Sequence, residues 1–401
     1  MRNYPIKRGI YTNQAHVRVP EGTYELEHAR EGFLSEEVSH LYVKEAPSHW
    51  SRVEGDLQPR AVDARKITPS DATNPNGVPV ELMTAAVWCG KKTLSIFLSK
   101  RQQAMPYIYR TVDGDEMYFV HQGHGRIESE YGVLEYERGD YIYIPRGCLY
   151  RVIPKTTDTF MIITESRMPF SIPDRGLLGP HAIFDKGVVR LPEFDASREA
   201  WSQDEYEVRI KRLGRYSRVY FDYNPLTNVV GWKGTLTPYI LNLRDIRPIS
   251  ALRNHIVPTA NATFQSEDAI ITTFGPRALG DEETLRLPFY HRNIDYDEFI
   301  FYHEGNFFSR AGIEPGMFTL HPAGLDHGPH PIAWERDREA QQELKRTGQI
   351  AISKGKAINV DTTHQLFCSK AALDAQMNNY NTSWYEQAKA IENGTYHKTN
   401  C

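Results

Sequence analysis

The chain has 401 residues, of which 40% are hydrophobic and 24% are charged, a composition typical of a globular protein of two or three domains. Its 47 basic and 51 acidic residues leave a net charge of −4, which argues against a nucleic acid or an anionic membrane as partner, because both attract basic surfaces. No apolar run reaches the roughly 18 residues that a membrane span needs, and residues 1–22 lack the apolar core of a secretory signal. We therefore expect a cytoplasmic protein that binds neither membrane nor nucleic acid.

Short segments rich in β-branched and aromatic residues dominate the chain from residue 80 onward. Gly, Asp and Pro residues separate them every eight to twelve residues, a spacing typical of β-sandwiches and barrels. Helical patterns come late, at 334–348 and 369–380. The sequence therefore predicts a mainly β fold with few helices. The predicted strands are 80–89, 93–100, 116–123, 125–137, 141–147 and 159–166, followed by 218–223, 229–236, 269–275, 298–310 and 316–324.

One turn pattern occurs twice. Gly139–Tyr150 and Gly316–His327 both read G-x5-P-x-G-x2, followed by Tyr in the first copy and by His in the second. The pattern predicts a strand that ends in a Pro-x-Gly turn and directs the next side chain into the mouth of a barrel. Such an internal repeat indicates two copies of one small barrel. We place the two barrels at 76–200 and 201–401, after an extended, polar segment at 1–75.

The second copy of this turn resembles the second sequence signature of the cupins, small jelly-roll barrels, in which the final His binds a metal ion. That residue is His327 here. The first cupin signature corresponds to 288–305, PFYHRNIDYDEFIFYHEG, which supplies His291 and Glu298 but has Phe289 in place of its first His. Two imidazoles and one carboxylate form the facial triad of non-haem Fe(II) oxygenases, which leaves positions open for substrate and O2. We therefore predict an Fe(II) site at His291, Glu298 and His327.

Several longer segments are similar to homogentisate 1,2-dioxygenases. PLTNVVGWKGTLTPYILNLRD (225–245), PFYHRN (288–293) and LHPAGLDHGPHP (320–331) carry the resemblance, and VDGDEMYFVHQGHG (112–125) extends it more weakly into the first barrel. The resemblance implies two cupin barrels and an Fe(II)-dependent enzyme that opens an aromatic ring by inserting both atoms of O2. It also implies a 2,5-dihydroxyphenyl carboxylic acid as substrate and a homo-oligomer, either a trimer or a hexamer.

The resemblance further implies roles for individual residues. His291, Glu298 and His327 fall on the family's iron ligands, and His321 falls on a histidine beside them. His255, in the segment ALRNHIVP, falls on a pocket histidine that acts as an acid or base near a substrate hydroxyl. We therefore expect His255 and His321 to be catalytic.

The family's pocket tyrosine is replaced by Phe307. A phenol that could donate a hydrogen bond to the substrate is therefore missing, and such a loss can change substrate discrimination by orders of magnitude. Tyr302, His303 and Asn306 are near Phe307 in the chain and could supply another donor. Two alternatives follow: the same chemistry on another hydroquinone or hydroxylated aromatic acid, or a metal-binding cupin without oxygenase activity. The candidates for the wall of a water-excluding pocket are Phe289, Phe299, Phe307 and Phe308.

The first barrel lacks the corresponding ligands. Tyr150 occupies the position of the final His, and Asp113–Glu116 replaces the His-containing part of the first signature. Without histidines, these carboxylates are not expected to hold a metal ion. His121 and His124 are expected in loops or at the surface. We predict that this barrel serves structure and oligomerisation.

Overall fold

The computed structural model describes residues 6–34, 37–85, 92–194, 200–285, 289–305, 307, 310 and 312–395. Strands make up most of its regular structure, which confirms the predicted mainly β class with few, late helices. No helix of the described residues is long and apolar enough to cross a membrane. The α-helices are α1 (Pro331–Thr347), α2 (Lys370–Asp374) and α3 (Ser383–Glu392).

The first barrel consists of two sheets. The seven-stranded sheet has the spatial order β15 (Tyr239–Asn242), β10 (Asp140–Ile144), β7 (Asp115–Gln122), β12 (Phe160–Ser166), β5 (Leu94–Ser99), β4 (Val80–Ala85) and β24 (Leu366–Cys368). The six-stranded sheet has the order β14 (Arg215–Phe221), β13 (Tyr206–Arg212), β6 (Ile108–Thr111), β11 (Tyr150–Pro154), β8 (Gly125–Ser129) and β9 (Gly132–Tyr136). Side chains from both sheets, among them Ile127 and Ile142, fill the interior of this barrel.

The second barrel pairs a large sheet with a small one. The large sheet has the order β16 (Ala262–Gln265), β17 (Ala269–Phe274), β23 (Lys356–Thr362), β20 (Asp297–Glu304), β21 (Met317–His321) and β3 (Arg60–Asp63). The small sheet has the order β19 (Tyr290–Asn293), β1 (Tyr24–Ala29) and β2 (Val38–Val43). A separate two-stranded pair joins β18 (Arg277–Ala278) to β22 (Ile352–Ser353).

The largest apolar cluster lies between the barrels, where the seven-stranded sheet of the first packs on the six-stranded sheet of the second. Phe119 meets Phe301 there, with ring centroids 6.5 Å apart. Because side chains alternate along a strand, β20 presents Phe299 and Phe301 to this interface. The same strand presents Ile300 and Tyr302 to the interior of the second barrel. Both faces of β20 are therefore buried.

The strand pairing crosses the predicted boundary between residues 200 and 201. β13 pairs in parallel with β6, and β15 pairs with β10, so residues 206–242 add strands to the first barrel rather than to the second. The ends of the chain cross over as well, because β3 pairs with β21 of the second barrel and β24 pairs with β4 of the first. Strand partners are non-local, so a division based on repeat spacing assigned residues 206–242 and β24 to the second barrel and left β3 in the N-terminal segment 1–75.

Three predicted elements differ from the structure. Residues 125–137, predicted as one strand, form the hairpin of β8 and β9. Residues 229–236, predicted as a strand, contain no regular element. The predicted helix 369–380 ends at Asp374, because the backbone of Gln376 and Met377 returns to the sheet: Gln376 bridges to Val62, and the Met377 N–H donates to the carbonyl oxygen of Ala61.

The repeated turn is present in both barrels with the same backbone conformation. Gly139 and Gly147 have φ values of 88° and 90°, and Gly316 and Gly324 have values of 88° and 81°. These left-handed conformations strain any residue with a Cβ, which explains why both copies keep glycine at both positions. The prediction of two related turns is confirmed.

Candidate metal centre

The three predicted metal ligands meet inside the second barrel. His291 lies on β19, Glu298 lies on β20, and His327 lies just after the Pro-x-Gly turn that follows β21. Glu298 Oε1 is 3.0 Å from His291 Nε2, and Glu298 Oε2 is 3.1 Å from His327 Nε2. Ligand atoms from all three side chains lie within 4.8 Å of one another, and all three residues are buried. One cation could therefore contact all three.

Backbone contacts orient both imidazoles toward this point. His291 Nδ1 is 3.2 Å from the carbonyl oxygen of Phe289, and His327 Nδ1 is 3.0 Å from that of Leu325. A carbonyl oxygen can only accept, so each Nδ1 carries the proton and each Nε2 keeps its lone pair for a metal ion. The backbones of His291 and His327 also bond to each other in both directions, at 2.9 and 3.0 Å, which fixes the distance between the two rings.

The charges at the site suit a divalent cation. Burial raises the pKa of Glu298, but His327 and His291 oppose this effect, and the net pKa lies well below its ordinary value, so the side chain is a carboxylate. Burial lowers the pKa of His327, which keeps its imidazole neutral. One carboxylate and two imidazole nitrogens form a donor set that borderline divalent metals accept readily.

His321 lies beside this triad, as the sequence predicts. Its ring stacks on that of His327 with centroids 4.7 Å apart, and its Nδ1 is 3.4 Å from Glu298 Oε2. Burial lowers the pKa of His321 to about 3, so the side chain is neutral. Its Nε2 is buried without a hydrogen-bond partner. His321 therefore supports the Glu298 carboxylate and leaves one polar atom available inside the barrel.

A carboxyl group that the sequence did not predict lies next to Glu298. Asp361 on β23 is the cross-strand neighbour of Glu298, and it is 3% exposed. Burial and the charge of Glu298 raise the pKa of Asp361 well above its ordinary value, so it is expected to hold a proton. Its Oδ1 accepts a hydrogen bond of 2.9 Å from the amide of Asn359. No sequence motif marks Asp361, because only strand pairing brings β23 next to β20.

His255 lies near the triad but belongs to a second polar cluster. Its ring centroid is 4.6 Å from that of Phe289, and the Phe289 ring is 4.9 Å from that of His291, so Phe289 contacts both histidines. His255 Nε2 is 3.2 Å from Glu27 Oε2, and Glu27 is the register partner of His291 in the pairing of β1 with β19. The second polar cluster comprises His16, Glu25, Glu27, His40 and His255, and sequence analysis singled out only the last of these.

The predicted substrate-binding residues fall in different places. Tyr302 and Phe307 lie in the interior of the second barrel, with ring centroids 4.6 Å apart, and the Tyr302 hydroxyl is 3.1 Å from Thr319 Oγ1. His303 faces the other barrel instead and cannot supply the missing donor in this pocket. Asn306 lies outside the described residues.

The predicted aromatic wall is partly wrong. Phe289 and Phe307 are buried on the side of the barrel interior, but Phe299 belongs to the cluster between the barrels, because its neighbour Glu298 takes the inward position. Phe308 lies outside the described residues.

The expectation that His121 lies in a loop or at the surface is wrong. His121 is on β7 and 3% exposed, and its Nδ1 is 2.9 Å from His303 Nδ1 across the interface between the barrels. Burial lowers the pKa of His121 to about 4 and that of His303 to about 2. His124 is exposed in a loop, as expected.

Comparison with protein families gives two matches that together cover most of the chain. Residues 72–243 match the family model "Homogentisate 1,2-dioxygenase N-terminal", and residues 255–391 match "Homogentisate 1,2-dioxygenase C-terminal". The first match ends just after β15, in agreement with the strand pairing.

Individual relatives agree with these matches. "Putative dioxygenase SSO1533" of Saccharolobus solfataricus is 34% identical over 281 residues, which are 69% of this chain and 70% of that protein. "Homogentisate 1,2-dioxygenase" of Rhizobium johnstonii is 29% identical over 286 residues, 68% of this chain and 61% of that protein. The chain thus spans about three fifths of the length of this relative. A solved "Cupin 2 conserved barrel domain protein" from Leptotrichia buccalis is 10% identical, with a TM-score of 0.32 over 76% of this chain and 96% of that one.

Proposed function

The chain belongs to the homogentisate 1,2-dioxygenase family, and on that premise we propose that it is an Fe(II)-dependent dioxygenase that cleaves the ring of a 2,5-dihydroxyphenyl carboxylic acid. The observation that carries the proposal is the convergence of His291, Glu298 and His327 on one point of the second barrel. The co-substrate is O2, and both of its atoms enter the product. From the family resemblance we also propose a cytoplasmic homo-oligomer, a trimer or a hexamer.

Fe(II) fits the donor set better than a hard cation such as Mg²⁺ does. Two imidazole Nε2 atoms and one carboxylate supply one face of a coordination sphere, and this arrangement is typical of non-haem Fe(II) oxygenases. When bound, the ion would bring an electron-rich ring and O2 together and lower the pKa of a coordinated hydroxyl group. The residues that would hold it are His291, Glu298 and His327.

The chain's own residues prepare this site in three ways. The carbonyl oxygens of Phe289 and Leu325 hold the Nδ1 protons, so both Nε2 atoms stay available. His321 keeps the Glu298 carboxylate in place from within the barrel. The neighbouring Asp361, which holds a proton, adds no negative charge and does not repel that carboxylate.

His255 is the group that we propose to take up a proton from a substrate hydroxyl. Burial lowers the pKa of His255 more than Glu27 raises it, so the imidazole is neutral near pH 7 and can accept a proton. The Glu27 carboxylate, 3.2 Å from His255 Nε2, would stabilise the imidazolium once it forms. The ring of Phe289 separates His255 from His291, and this apolar surface helps to keep water away from both.

Oxygen uptake by the full chain, loaded anaerobically with Fe(II), tests the proposal. Homogentisate, gentisate and plain hydroquinone are supplied separately, and absorbance follows the ring-opened product. Uptake with homogentisate is the expected result. Uptake only with another of the three would keep the chemistry and assign a different substrate. If none of the three is consumed while iron is bound, the chain is a metal-binding cupin without oxygenase activity and the proposal fails.

Phe307→Tyr, measured in the same assay, tests whether this position sets the substrate. A phenol there would restore a hydrogen-bond donor, and a bond to a charged substrate group contributes about 1.5–3 kcal/mol, or roughly a tenfold gain or more in kcat/KM. We expect this gain for homogentisate and none for hydroquinone, which has no carboxylate. An equal change for both substrates would mean that Phe307 acts through packing alone.

A further inference from the structure

A second group of histidines and carboxylates lies beside the metal centre, on the other side of Phe289. His16 precedes β1, Glu25 and Glu27 lie on β1, and His40 lies on β2. His16 and Glu25 are fully buried, Glu27 is 2% exposed, and the His40 side chain is 24% exposed. In the described part of the chain, the ion-pair partners of both glutamates are histidines, and no Lys or Arg pairs with either. Burying two carboxylates costs free energy unless a positive charge lies near them, and in this cluster no Lys or Arg of the described residues supplies it.

His16 and His40 each present one ring nitrogen to the Glu25 carboxylate. His16 Nδ1 is 3.8 Å from Glu25 Oε2 and has no hydrogen-bond partner, and His40 Nδ1 is 2.9 Å from Glu25 Oε1. The two imidazole rings lie edge to face, with centroids 5.4 Å apart. One ligand atom from each of His16, Glu25 and His40 lies within 4.8 Å of the others. The Nδ1 lone pairs of His16 and His40 and the Glu25 carboxylate are therefore close enough to bind the same metal ion.

The other nitrogen of His16 is held as metal-bound histidines usually are. His16 Nε2 is 2.5 Å from Glu27 Oε2. A ligating histidine usually donates its second N–H to a carboxylate or carbonyl oxygen, which fixes the ring and makes the ligating nitrogen more basic. Because Nε2 is engaged by Glu27, Nδ1 is the atom left for a ligand, and it faces Glu25 and His40.

We propose that His16 Nδ1, Glu25 and His40 Nδ1 bind a second divalent metal ion, of the borderline class that includes Zn²⁺ and Fe²⁺. The partly exposed His40 marks the side from which the ion and a water ligand enter. The site ties the hairpin of β1 and β2 to the segment that contains His16. β1 pairs with β19, and Glu27 lies in register with His291, so the ion would stabilise the strand that carries a ligand of the first centre. This inference is independent of the proposed reaction.

His16, Glu27 and His255 form an overlapping group of three that also satisfies the distance limit. We favour the group with His40, because Glu27 already takes up the Nε2 side of His16 and because His40 provides an entry path. The two candidate groups differ in which substitution should abolish binding of the ion. Loss in His255→Ala but not in His40→Ala would overturn the assignment.

Metal stoichiometry of the full chain tests the proposal. The purified protein is stripped with a chelator, equilibrated with Zn²⁺ by dialysis and analysed for bound metal. We expect two ions per chain in the wild type, one in His40→Ala, one in Glu25→Gln and one in Glu298→Ala. His28→Ala is the matched control, since His28 lies on β1 next to Glu27 but on the opposite face of the sheet, and it should keep two ions.

The result that overturns the proposal is one ion in the wild type that disappears in Glu298→Ala, or an unchanged count in His40→Ala and Glu25→Gln. If His40→Ala does not fold, the near-isosteric Glu25→Gln decides the question. A thermal melt gives a readout that does not depend on the first centre. Zn²⁺ should still raise the Tm of Glu298→Ala, and His40→Ala in that background should remove the rise.

Discussion

The two barrels carry related strand sequences with different chemistry. Residues 106–116 read PYIYRTVDGDE in the first barrel, and 288–298 read PFYHRNIDYDE in the second. Aligned in this way, Tyr109 corresponds to His291 and Glu116 to Glu298, so the expectation that Asp113–Glu116 replaces the His-containing part of the signature is wrong. The repeated turn adds the third pair, Tyr150 and His327. The first barrel therefore keeps the carboxylate of the triad and has a tyrosine in place of each histidine.

In the first barrel these residues form a hydrogen-bonded cluster. The Tyr150 hydroxyl donates to Glu116 Oε2 at 2.7 Å and is 2.6 Å from the Tyr118 hydroxyl, while the rings of Tyr109 and Tyr150 meet edge to face at 5.4 Å. Burial, and then the charge of Glu165, raises the pKa of Glu116 to about 8, whereas the pKa of Glu298 lies well below normal. The same carboxyl position is thus neutral among phenols and ionised among imidazoles, and the neighbours decide whether it can hold a cation.

The largest expected difference between the barrels is in metal binding. Glu298→Gln should lower the Fe(II) bound per chain by one and abolish oxygen uptake, because the amide has lost the charge that two neutral imidazoles cannot replace. Glu116→Gln should leave the bound Fe(II) and the oxygen uptake unchanged. Iron analysis of the two purified variants, with circular dichroism as a check on folding, makes the comparison. Normal iron content in Glu298→Gln would remove this residue from the site, and iron loss in Glu116→Gln would show that the first barrel also binds metal.

A smaller difference is expected in the dependence of stability on pH. Because Glu116 has a pKa of about 8 in the fold and about 4.5 when unfolded, the fold favours its protonated form. The contribution of protonated Glu116 to the free energy of unfolding is complete below about pH 4.5 and is lost as the pH rises to about 8. The Tm of the wild type should therefore fall by a few degrees relative to that of Glu116→Gln over this range, in scanning calorimetry. Parallel curves for the two proteins would show that Glu116 is ionised in the fold.

A pH effect of the opposite sign concerns a feature that the barrels share. His121 and His303 occupy equivalent positions and meet at the interface, with folded pKa values of about 4 and 2, below the 6.5 of a free histidine. The contribution of these two histidines to the free energy of unfolding is complete above pH 6.5. It is lost as the pH falls toward 4, because the unfolded chain binds the proton more tightly. Between pH 6.5 and 4, the Tm of the double variant His121→Asn, His303→Asn should fall by less than the Tm of the wild type does. The exposed His124→Asn is the control and should behave as the wild type does.

Sequence patterns and the family resemblance predicted the fold class, the repeated turn and a metal site at His291, Glu298 and His327. These features depend on local patterns: β-branched and aromatic segments separated by Gly, Asp and Pro, a turn motif that occurs twice, and His and Glu residues in the motifs of a known family. The equivalence of Tyr109 and Glu116 with His291 and Glu298 was also present in the sequence, as PYIYRT beside PFYHRN, and could have been found by aligning the two halves.

The orientation of side chains on buried strands and the contacts made through strand pairing could be seen only in the tertiary structure. Alternation along β20 separates Glu298 from Phe299, but both faces of this strand are buried, so hydrophobicity could not show which one faces the barrel interior. The structure placed His303 and Phe299 at the interface. Asp361 had no sequence signal, because only the pairing of β20 with β23 brings it beside Glu298. His16, Glu25, Glu27 and His40 of the second polar cluster are close in the chain, but the sequence predicted no strands there, and it is the hairpin of β1 and β2 that brings the glutamates beside His40.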